Sequence, residues 1–191
     1  MLVISNLSKK YGKIWANEDI SFSLSSGEVG VLLGPNGAGK STAIKSIAGL
    51  LRYDGEISID HHHNKTEEAK RLMGYVPEFP APYDMLTVDE HVEFIVRAYK
   101  LPEQTFEYAE QLIEAFELSD KRKKFGKELS KGMQQKVSII CALLPRPKLL
   151  MMDEPLVGLD PHAIKELKRI IQDEKARGTA VLISTHMIDS V

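Results

Sequence analysis

The fold of this 191-residue chain is decided by the stretch Gly34-Pro35-Asn36-Gly37-Ala38-Gly39-Lys40-Ser41-Thr42. Its glycines let the backbone curl so that successive N–H groups point inward, and Lys40 and Ser41 add an ammonium and a hydroxyl group. The pattern G-x-x-x-x-G-K-[ST] binds nucleotide phosphates, with the lysine at the terminal phosphates and the hydroxyl at a magnesium ion. Residues 34–42 are therefore predicted to hold a nucleotide and Mg²⁺.

The residues on either side of this loop support the prediction. Val29–Leu33 is a continuous apolar run, as expected of a strand covered on both faces. Beyond Ser41, apolar residues recur at helical spacing, namely Ile44, Ile47, Ala48 and Leu51. A glycine-rich turn that arose by chance would have no reason to lie between a strand and a helix. The order strand, loop, helix is the one that a phosphate-binding loop requires.

A second apolar run, Leu149–Met152, ends in the acids Asp153 and Glu154. Because side chains alternate along a strand, the two acids are predicted to point in opposite directions and to have different roles. Asp153 is the candidate ligand of Mg²⁺. Glu154 is the candidate base that orients or deprotonates the attacking water. Solvated acids at an ordinary strand end are the alternative, which the phosphate loop upstream disfavours.

His186 follows a predicted strand, Ala180–Ser184, near the end of the chain. A single histidine at a strand end is usually structural. In a parallel sheet, however, this is the edge at which ligands bind. His186 is therefore a candidate catalytic residue, together with Glu154 and Lys40. Its imidazole is expected to contact the γ-phosphate or to position Glu154 and the water.

The rest of the chain predicts an α/β fold with one insertion. Short strands are expected at Val3–Ile4 and Ile20–Leu24, and residues 80–147 show helical patterns between two proline-rich segments. The interpretation is a P-loop NTPase core with a mixed or parallel sheet, formed by residues 1–79 and 148–191. An antiparallel β subdomain lies at the N-terminus, and residues 80–147 form an inserted α-helical subdomain.

Composition narrows the class of partner. The net charge of -2 gives no basic surface for nucleic acid, so no nucleic-acid partner is expected. The apolar runs span about eight residues, whereas a membrane-spanning helix needs about 20. The single cysteine and the absence of a signal-peptide pattern fit a reducing cytosol. If the chain works at a membrane, another polypeptide must supply the pore.

Together the motifs resemble the nucleotide-binding subunits of ABC transporters over essentially the whole chain. Besides the phosphate loop, the resemblance rests on Tyr75–Glu78, Leu129–Lys136, Leu149–Glu154, Leu159–Asp160 and Ser184–His186. It implies an ATPase that uses ATP and Mg²⁺ and forms a homodimer or heterodimer with a second nucleotide-binding subunit. It also implies an integral membrane permease as partner, and a cytoplasmic location on the inner face of the cell membrane.

The resemblance assigns further site residues. Tyr11 is similar to the aromatic residue that stacks on adenine, with Trp15 as the weaker candidate. Ser130 and Gly132 belong to the signature segment, which closes over the ATP of the second subunit, and Asp160 belongs to the D-loop. Glu78 stands where the family has glutamine, and it is expected to contact Mg²⁺ or the water.

Three features depart from the family pattern or leave alternatives open. Lys131 and Met133 replace Gly and Gln in the signature, which favours a similarity to ABC-2-type exporters. Family members continue with further strands and helices after the histidine, so the core is expected to be truncated at its C-terminal end. One alternative is a soluble ABC-type ATPase that moves no solute. The other is a non-catalytic regulatory subunit, and the intact Lys40, Asp153, Glu154 and His186 argue against it.

Overall fold

The computed structural model describes residues 1–186, which form two four-stranded sheets and six α-helices. The N-terminal sheet is antiparallel, with the strand order β2-β1-β4-β5. Its strands are β1 (Leu2–Tyr11), β2 (Ile14–Leu24), β4 (Asp54–Ile59) and β5 (His62–His63). The second sheet is parallel, with the order β3-β8-β7-β6. It comprises β3 (Val29–Leu33), β6 (Met73–Val76), β7 (Leu149–Asp153) and β8 (Ala180–Thr185).

Strands β1 and β2 correct the prediction of two short strands. They are 10 and 11 residues long and form one hairpin, which turns at Gly12 with φ of 59°. Leu2, Ile4 and Leu7 face the core, but most of the intervening and following residues are polar and exposed. Register shifts beyond Ile4 interrupt the alternation that would have revealed the full strands.

The six α-helices of residues 1–186 are α1 (Lys40–Ile47), α2 (Glu67–Arg71), α3 (Val88–Tyr99), α4 (Thr105–Ala115), α5 (Lys131–Leu143) and α6 (Pro161–Ala176). Four of them, α2, α3, α5 and α6, begin after a residue whose side chain caps the helix. Thr87 and Glu90 form a capping box at α3. Helix α5 starts at Lys131 because the Ser130 side chain caps it.

Two hydrophobic clusters cover the two faces of the parallel sheet. One joins β6, β7 and β8 to helices α3 to α6, and the other joins β7 and β8 to α1 and the antiparallel sheet. The central strand β7 is buried along its whole length because it is covered from both sides. This arrangement confirms the predicted α/β class with one antiparallel and one parallel sheet. The bounds 1–79, 80–147 and 148–191 stay predictions, with α3 to α5 lying inside the middle range.

Within residues 1–186 no helix is both long and apolar enough to cross a lipid bilayer. The longest helix, α6, has 16 residues and carries charged side chains along its exposed side.

Candidate functional site

The phosphate loop connects β3 to α1 across residues Gly34–Gly39. Gly37 and Gly39 have φ angles of 84° and 86°, in the left-handed region that favours glycine. Gly39 is the residue that precedes α1, and the first amides of any helix lack intrahelical partners. The loop and the N-terminus of α1, with Lys40, Ser41 and Thr42 in its first turn, therefore offer N–H groups to an anion.

Strand β2 supports this loop at Gly39. An added Cβ on Gly39 would lie 2.0 Å from the carbonyl oxygen of Ala16, so only glycine fits there. The Asn17 side chain donates a hydrogen bond from Nδ2 to the carbonyl oxygen of Gly39 at 3.2 Å, and it is buried. Asn17 was not predicted as a site residue from the sequence. The one available signal was a polar residue inside a strand, and its partner lies 22 residues further along the chain.

Lys40 reaches back across the loop. Its ammonium group donates hydrogen bonds to the carbonyl oxygens of Gly34 at 2.7 Å and Pro35 at 3.1 Å. It also lies 3.3 Å from Glu154 Oε1, in an ion pair whose two side chains are each only 8% exposed. A buried carboxylate needs such a partner, so the pair joins the loop to the end of β7.

Asp153 is the last residue of β7 and is fully buried. Its Oδ1 atom accepts hydrogen bonds from the Ser41 hydroxyl at 3.0 Å and from the Ser184 hydroxyl at 2.5 Å. Its Oδ2 atom is buried and has no hydrogen-bond partner within residues 1–186. An unpaired carboxylate oxygen beside a serine hydroxyl is the donor set that Mg²⁺ prefers, so these residues fit the ion.

Glu154 corrects the argument from strand alternation. The strand ends at Asp153, and Glu154 follows in the left-handed conformation with φ of 48°. Both acids therefore reach the same loop, since Asp153 contacts Ser41 and Glu154 contacts Lys40. Glu154 Oε2 lies 2.9 Å from His186 Nδ1, and the catalytic role of this histidine stays a prediction.

Glu78 adds a second negative charge near Asp153, and both acids act on the hydroxyl group of Tyr75. Burial, followed by the charges of Asp153 and Glu78, raises the pKa of Tyr75 to about 12. Its hydroxyl is buried and has no hydrogen-bond partner within the described residues. Glu78 lies in the loop after β6 and is half-buried. Its carboxylate therefore acts electrostatically on the same hydroxyl as Asp153, but no hydrogen bond joins Glu78 to the phosphate loop within residues 1–186.

The two candidate aromatic residues lie on opposite faces of the β1–β2 hairpin. Lys9 pairs with Asn17 across the strands, and Lys10 pairs with Trp15. The ammonium group of Lys9 lies 5.0 Å from the Tyr11 ring centroid, and that of Lys10 lies 4.6 Å from the Trp15 ring centroid. Tyr11 therefore shares a face with Asn17, which contacts the phosphate loop, whereas Trp15 faces away.

The signature and D-loop residues form a second group. Ser130 is exposed and caps α5 by accepting a hydrogen bond from the Met133 amide at 3.3 Å. An added Cβ on Gly132 would lie 2.5 Å from the carbonyl oxygen of Gly158, so the start of α5 packs closely on the segment after β7. Within residues 1–186, no hydrogen bond or ion pair joins Ser130, Gly132 or Asp160 to the chain's own phosphate loop.

Asp160 connects α5 to α6. Its Oδ1 atom accepts a hydrogen bond from the Ala163 amide at 2.8 Å, and its Oδ2 atom lies 2.7 Å from the ammonium group of Lys136. The hydrogen bond from Lys136, followed by that from the amide, lowers the pKa of Asp160 from its usual value. The structure thus gives Asp160 a capping role and an ion pair, and the expected nucleotide contact stays a prediction.

Comparison with known proteins gives a consistent result. The profile of the ABC transporter family matches residues 17–157. The lipopolysaccharide export system ATP-binding protein LptB of Haemophilus influenzae is 38% identical over 198 residues, which cover 98% of this chain and 81% of that protein. The ABC-type transporter ATP-binding protein EcsA of Bacillus subtilis is 37% identical, and the match covers 98% of this chain and 78% of EcsA.

Solved structures agree with these relatives. An ATP-binding subunit of an ABC transporter superimposes with a TM-score of 0.93 at 40% identity, over 99% of this chain and 80% of that subunit. A dimeric bacterial ABC transporter cassette superimposes with a TM-score of 0.85 at 27% identity, over 100% of this chain and 90% of that cassette.

Proposed function

The chain belongs to the ABC transporter family as an ATP-binding, ATP-hydrolysing subunit, and from this premise we propose which residues perform the reaction and which surfaces bind its partners. One observation carries the proposal. Lys40, Ser41, Asp153, Glu154 and His186 meet at one loop through the contacts described above, although they come from three separate segments of the chain. An ammonium group, a potential metal site and a paired carboxylate are the groups that phosphoryl transfer to water requires.

ATP is proposed to bind with its phosphates against residues 34–42 and its adenine ring against Tyr11. The backbone amides of the loop and the Lys40 ammonium neutralise the phosphate charge. Tyr11 is favoured over Trp15 because it lies on the hairpin face that meets the loop. Its ring is about half exposed, which leaves an aromatic surface on which a base can stack.

Mg²⁺ is proposed to bind between the Ser41 hydroxyl and Asp153 Oδ2. When bound, the ion would supply positive charge to the β- and γ-phosphate oxygens. Ser41 can keep donating its proton to Asp153 Oδ1 while a lone pair of its oxygen faces the ion. Asp153 Oδ2 is the buried oxygen that the protein leaves unpaired.

Glu154 is proposed to take a proton from the attacking water, with His186 as its partner. His186 Nδ1 fixes Glu154 Oε2 at 2.9 Å, and the opposite oxygen faces Lys40. A carboxylate with a hydrogen bond at one oxygen and an ion pair at the other keeps one orientation. A general base needs a fixed orientation to reach the proton that it abstracts. His186 is partly exposed, so its ring can also contact the γ-phosphate.

Glu78 is proposed to add an oxygen ligand near the ion, directly or through a water molecule. In that role, Glu78→Gln should raise the Mg²⁺ concentration that gives half-maximal turnover of the assembled complex by about 10-fold. Glu68→Gln is the matched control, because it makes the same substitution at an exposed position of α2 ten residues away. If Glu78→Gln leaves both the Mg²⁺ dependence and the turnover unchanged, the assignment is wrong.

A second nucleotide-binding subunit is proposed to complete the site. Ser130 and Gly132 lie at the start of α5, and within the described residues neither forms a hydrogen bond with the chain's own phosphate loop. The N-terminus of a helix is a site that suits an anion. In a dimer, this segment of each subunit would contact the ATP of the other, with Asp160 at the junction. The similar bacterial cassette that is described as dimeric supports this proposal.

The partner in the membrane is proposed to dock on an exposed apolar face formed by Phe79, Tyr83, Met85 and Phe94, here called the aromatic face. Their exposed fractions are 76%, 58%, 65% and 44%, and the Tyr83 and Phe94 rings pack edge to face at 5.3 Å. Exposed apolar groups of this size indicate a protein interface. The face begins one residue after Glu78, so a partner docked there lies next to the nucleotide site.

Purification from solubilised membranes tests the transport function. We expect a multi-span membrane protein to co-purify with the chain and to raise its ATP turnover. Combined Phe79→Glu and Met85→Glu substitutions should reduce the co-purified partner about 10-fold or more, because they remove apolar contacts and place two unpaired carboxylates in the interface. The affinity of the variant chain for ATP, measured by calorimetry, should not change.

The control for this experiment is Val3→Glu, which makes the same kind of substitution, with one added charge in place of two, at an exposed apolar position of β1. If no multi-span protein accompanies the wild-type chain, the alternative of a soluble ABC-type ATPase is favoured. If the partner remains on the double variant, the aromatic face is not the docking surface. A cytoplasmic position on the inner face of the membrane follows from the proposed permease, and export stays a prediction from the signature variant.

A further inference from the structure

We propose that Ser184 is a positioning residue that orients both acids of the site through one hydroxyl group. The inference rests on the proposed function, because it concerns the acids assigned to the metal ion and to the water. Ser184 lies on β8 directly beside Asp153 of β7 in the parallel register, and it is fully buried. The sequence motif Ser184–His186 assigned a role to His186 but none to Ser184.

The Ser184 hydroxyl makes two hydrogen bonds of opposite sense. It donates its proton to Asp153 Oδ1 at 2.5 Å and accepts the backbone N–H of Glu154 at 3.0 Å. A hydroxyl group has one proton and two lone pairs, so the two bonds do not compete. One side chain therefore contacts the side chain of the first acid and the backbone of the second.

The bond to Asp153 determines which carboxylate oxygen is available. Ser184 and Ser41 both donate to Oδ1, so Oδ2 is the oxygen that stays without a partner within residues 1–186. Without the Ser184 hydroxyl, the carboxylate would lose one of the two bonds that prevent its rotation about the terminal side-chain torsion, which is intrinsically soft. Oδ2 would then point at the ion for less of the time.

The bond to Glu154 stabilises an unfavourable backbone conformation. Glu154 has φ of 48°, a region that non-glycine residues seldom adopt without local support. Its N–H lies 3.0 Å from the Ser184 hydroxyl and 3.3 Å from the Ser184 carbonyl oxygen, so β8 holds it at two points. This conformation turns the Glu154 carboxylate toward Lys40 and His186 and away from the direction that a continuing strand would give it.

Ser184→Ala tests the inference, with Ser46→Ala as the matched control. Both serines are fully buried, but the Ser46 hydroxyl has no hydrogen-bond partner within the described residues and lies in α1. A purely structural effect of losing a buried hydroxyl group should appear as a shift in melting temperature in either variant. An effect on metal binding or turnover should appear only in Ser184→Ala.

The decisive readout is binding of Mn²⁺ to the chain with ADP, measured by electron paramagnetic resonance. We expect Ser184→Ala to weaken Mn²⁺ binding about 10-fold and to lower turnover of the assembled complex by a similar factor. Binding of ATP in the presence of a chelator should stay within about twofold of the wild type, since the loop amides and Lys40 are unchanged.

Two outcomes separate this inference from the proposed function. If Ser184→Ala and Ser46→Ala bind Mn²⁺ equally and turn over equally, Ser184 has no positioning role, although the proposed function stands. If the wild-type chain itself neither binds the metal nucleotide nor hydrolyses ATP, the proposed function fails first, and the inference fails with it.

Discussion

Glu154→Gln is expected to abolish ATP hydrolysis while ATP binding persists. The amide keeps the shape of the side chain but cannot accept the proton of the attacking water, and loss of a general base costs about 10²- to 10⁴-fold in rate. Phosphate release from the complex with its membrane partner should fall by about 10³-fold. Because bound ATP is no longer consumed, a dimer with ATP between its subunits should accumulate, which size-exclusion chromatography with ATP would detect.

The control for Glu154→Gln is Glu67→Gln on the surface of α2. The Glu67 side chain is 75% exposed and forms an ion pair with Arg71, and such surface pairs contribute little to stability. Its removal should leave both turnover and dimerisation unchanged. Wild-type hydrolysis by Glu154→Gln would refute the base assignment, and another group would then have to activate the water.

Lys40→Met is expected to have the second large effect, on binding as well as on stability. The substitution removes a charged hydrogen-bond donor from the phosphates, which should weaken ATP binding about 10- to 100-fold by calorimetry. It also leaves the buried Glu154 carboxylate without its cation, so the free energy of unfolding should fall by about 2–3 kcal/mol in urea titrations.

A double variant separates the two effects of Lys40. Adding Glu154→Gln to Lys40→Met removes the uncompensated charge, so the unfolding free energy should recover while ATP binding stays weak. If the double variant is as unstable as Lys40→Met alone, the ion pair between Lys40 and Glu154 does not contribute to folding, and the loss has another cause.

The sequence predicted the parts of the site that local pattern determines. The phosphate loop is one continuous motif, and the ends of β7 and β8 must meet at the ligand edge of a parallel sheet, so Lys40, Asp153 and His186 could be assigned without coordinates. The α/β class followed from the same strands. The helices of the 80–147 segment were predicted from the helical spacing of apolar residues, which is also a local pattern.

The rest depends on contacts between distant segments. The role of Asn17 depends on where β2 passes the loop, and that of Ser184 on the register between β7 and β8. The predicted direction of the Glu154 side chain was wrong. The alternation of side chains along β7 was extended one residue past the strand end, where the backbone turns to a positive φ. The lengths of β1 and β2 were underestimated, because their polar outer faces and irregular register conceal the alternation of apolar and polar residues.

The pairing of β3 has a consequence for synthesis on the ribosome. Within residues 1–186, β3 pairs with β8, and the two strands lie about 150 residues apart along the chain. The strand that precedes the nucleotide loop must therefore stay without this hydrogen-bonded neighbour until β8 has been translated. We expect the growing polypeptide to bind ATP tightly only after β8 has emerged, so that nucleotide can stabilise the assembled sheet but cannot direct the earlier steps of folding.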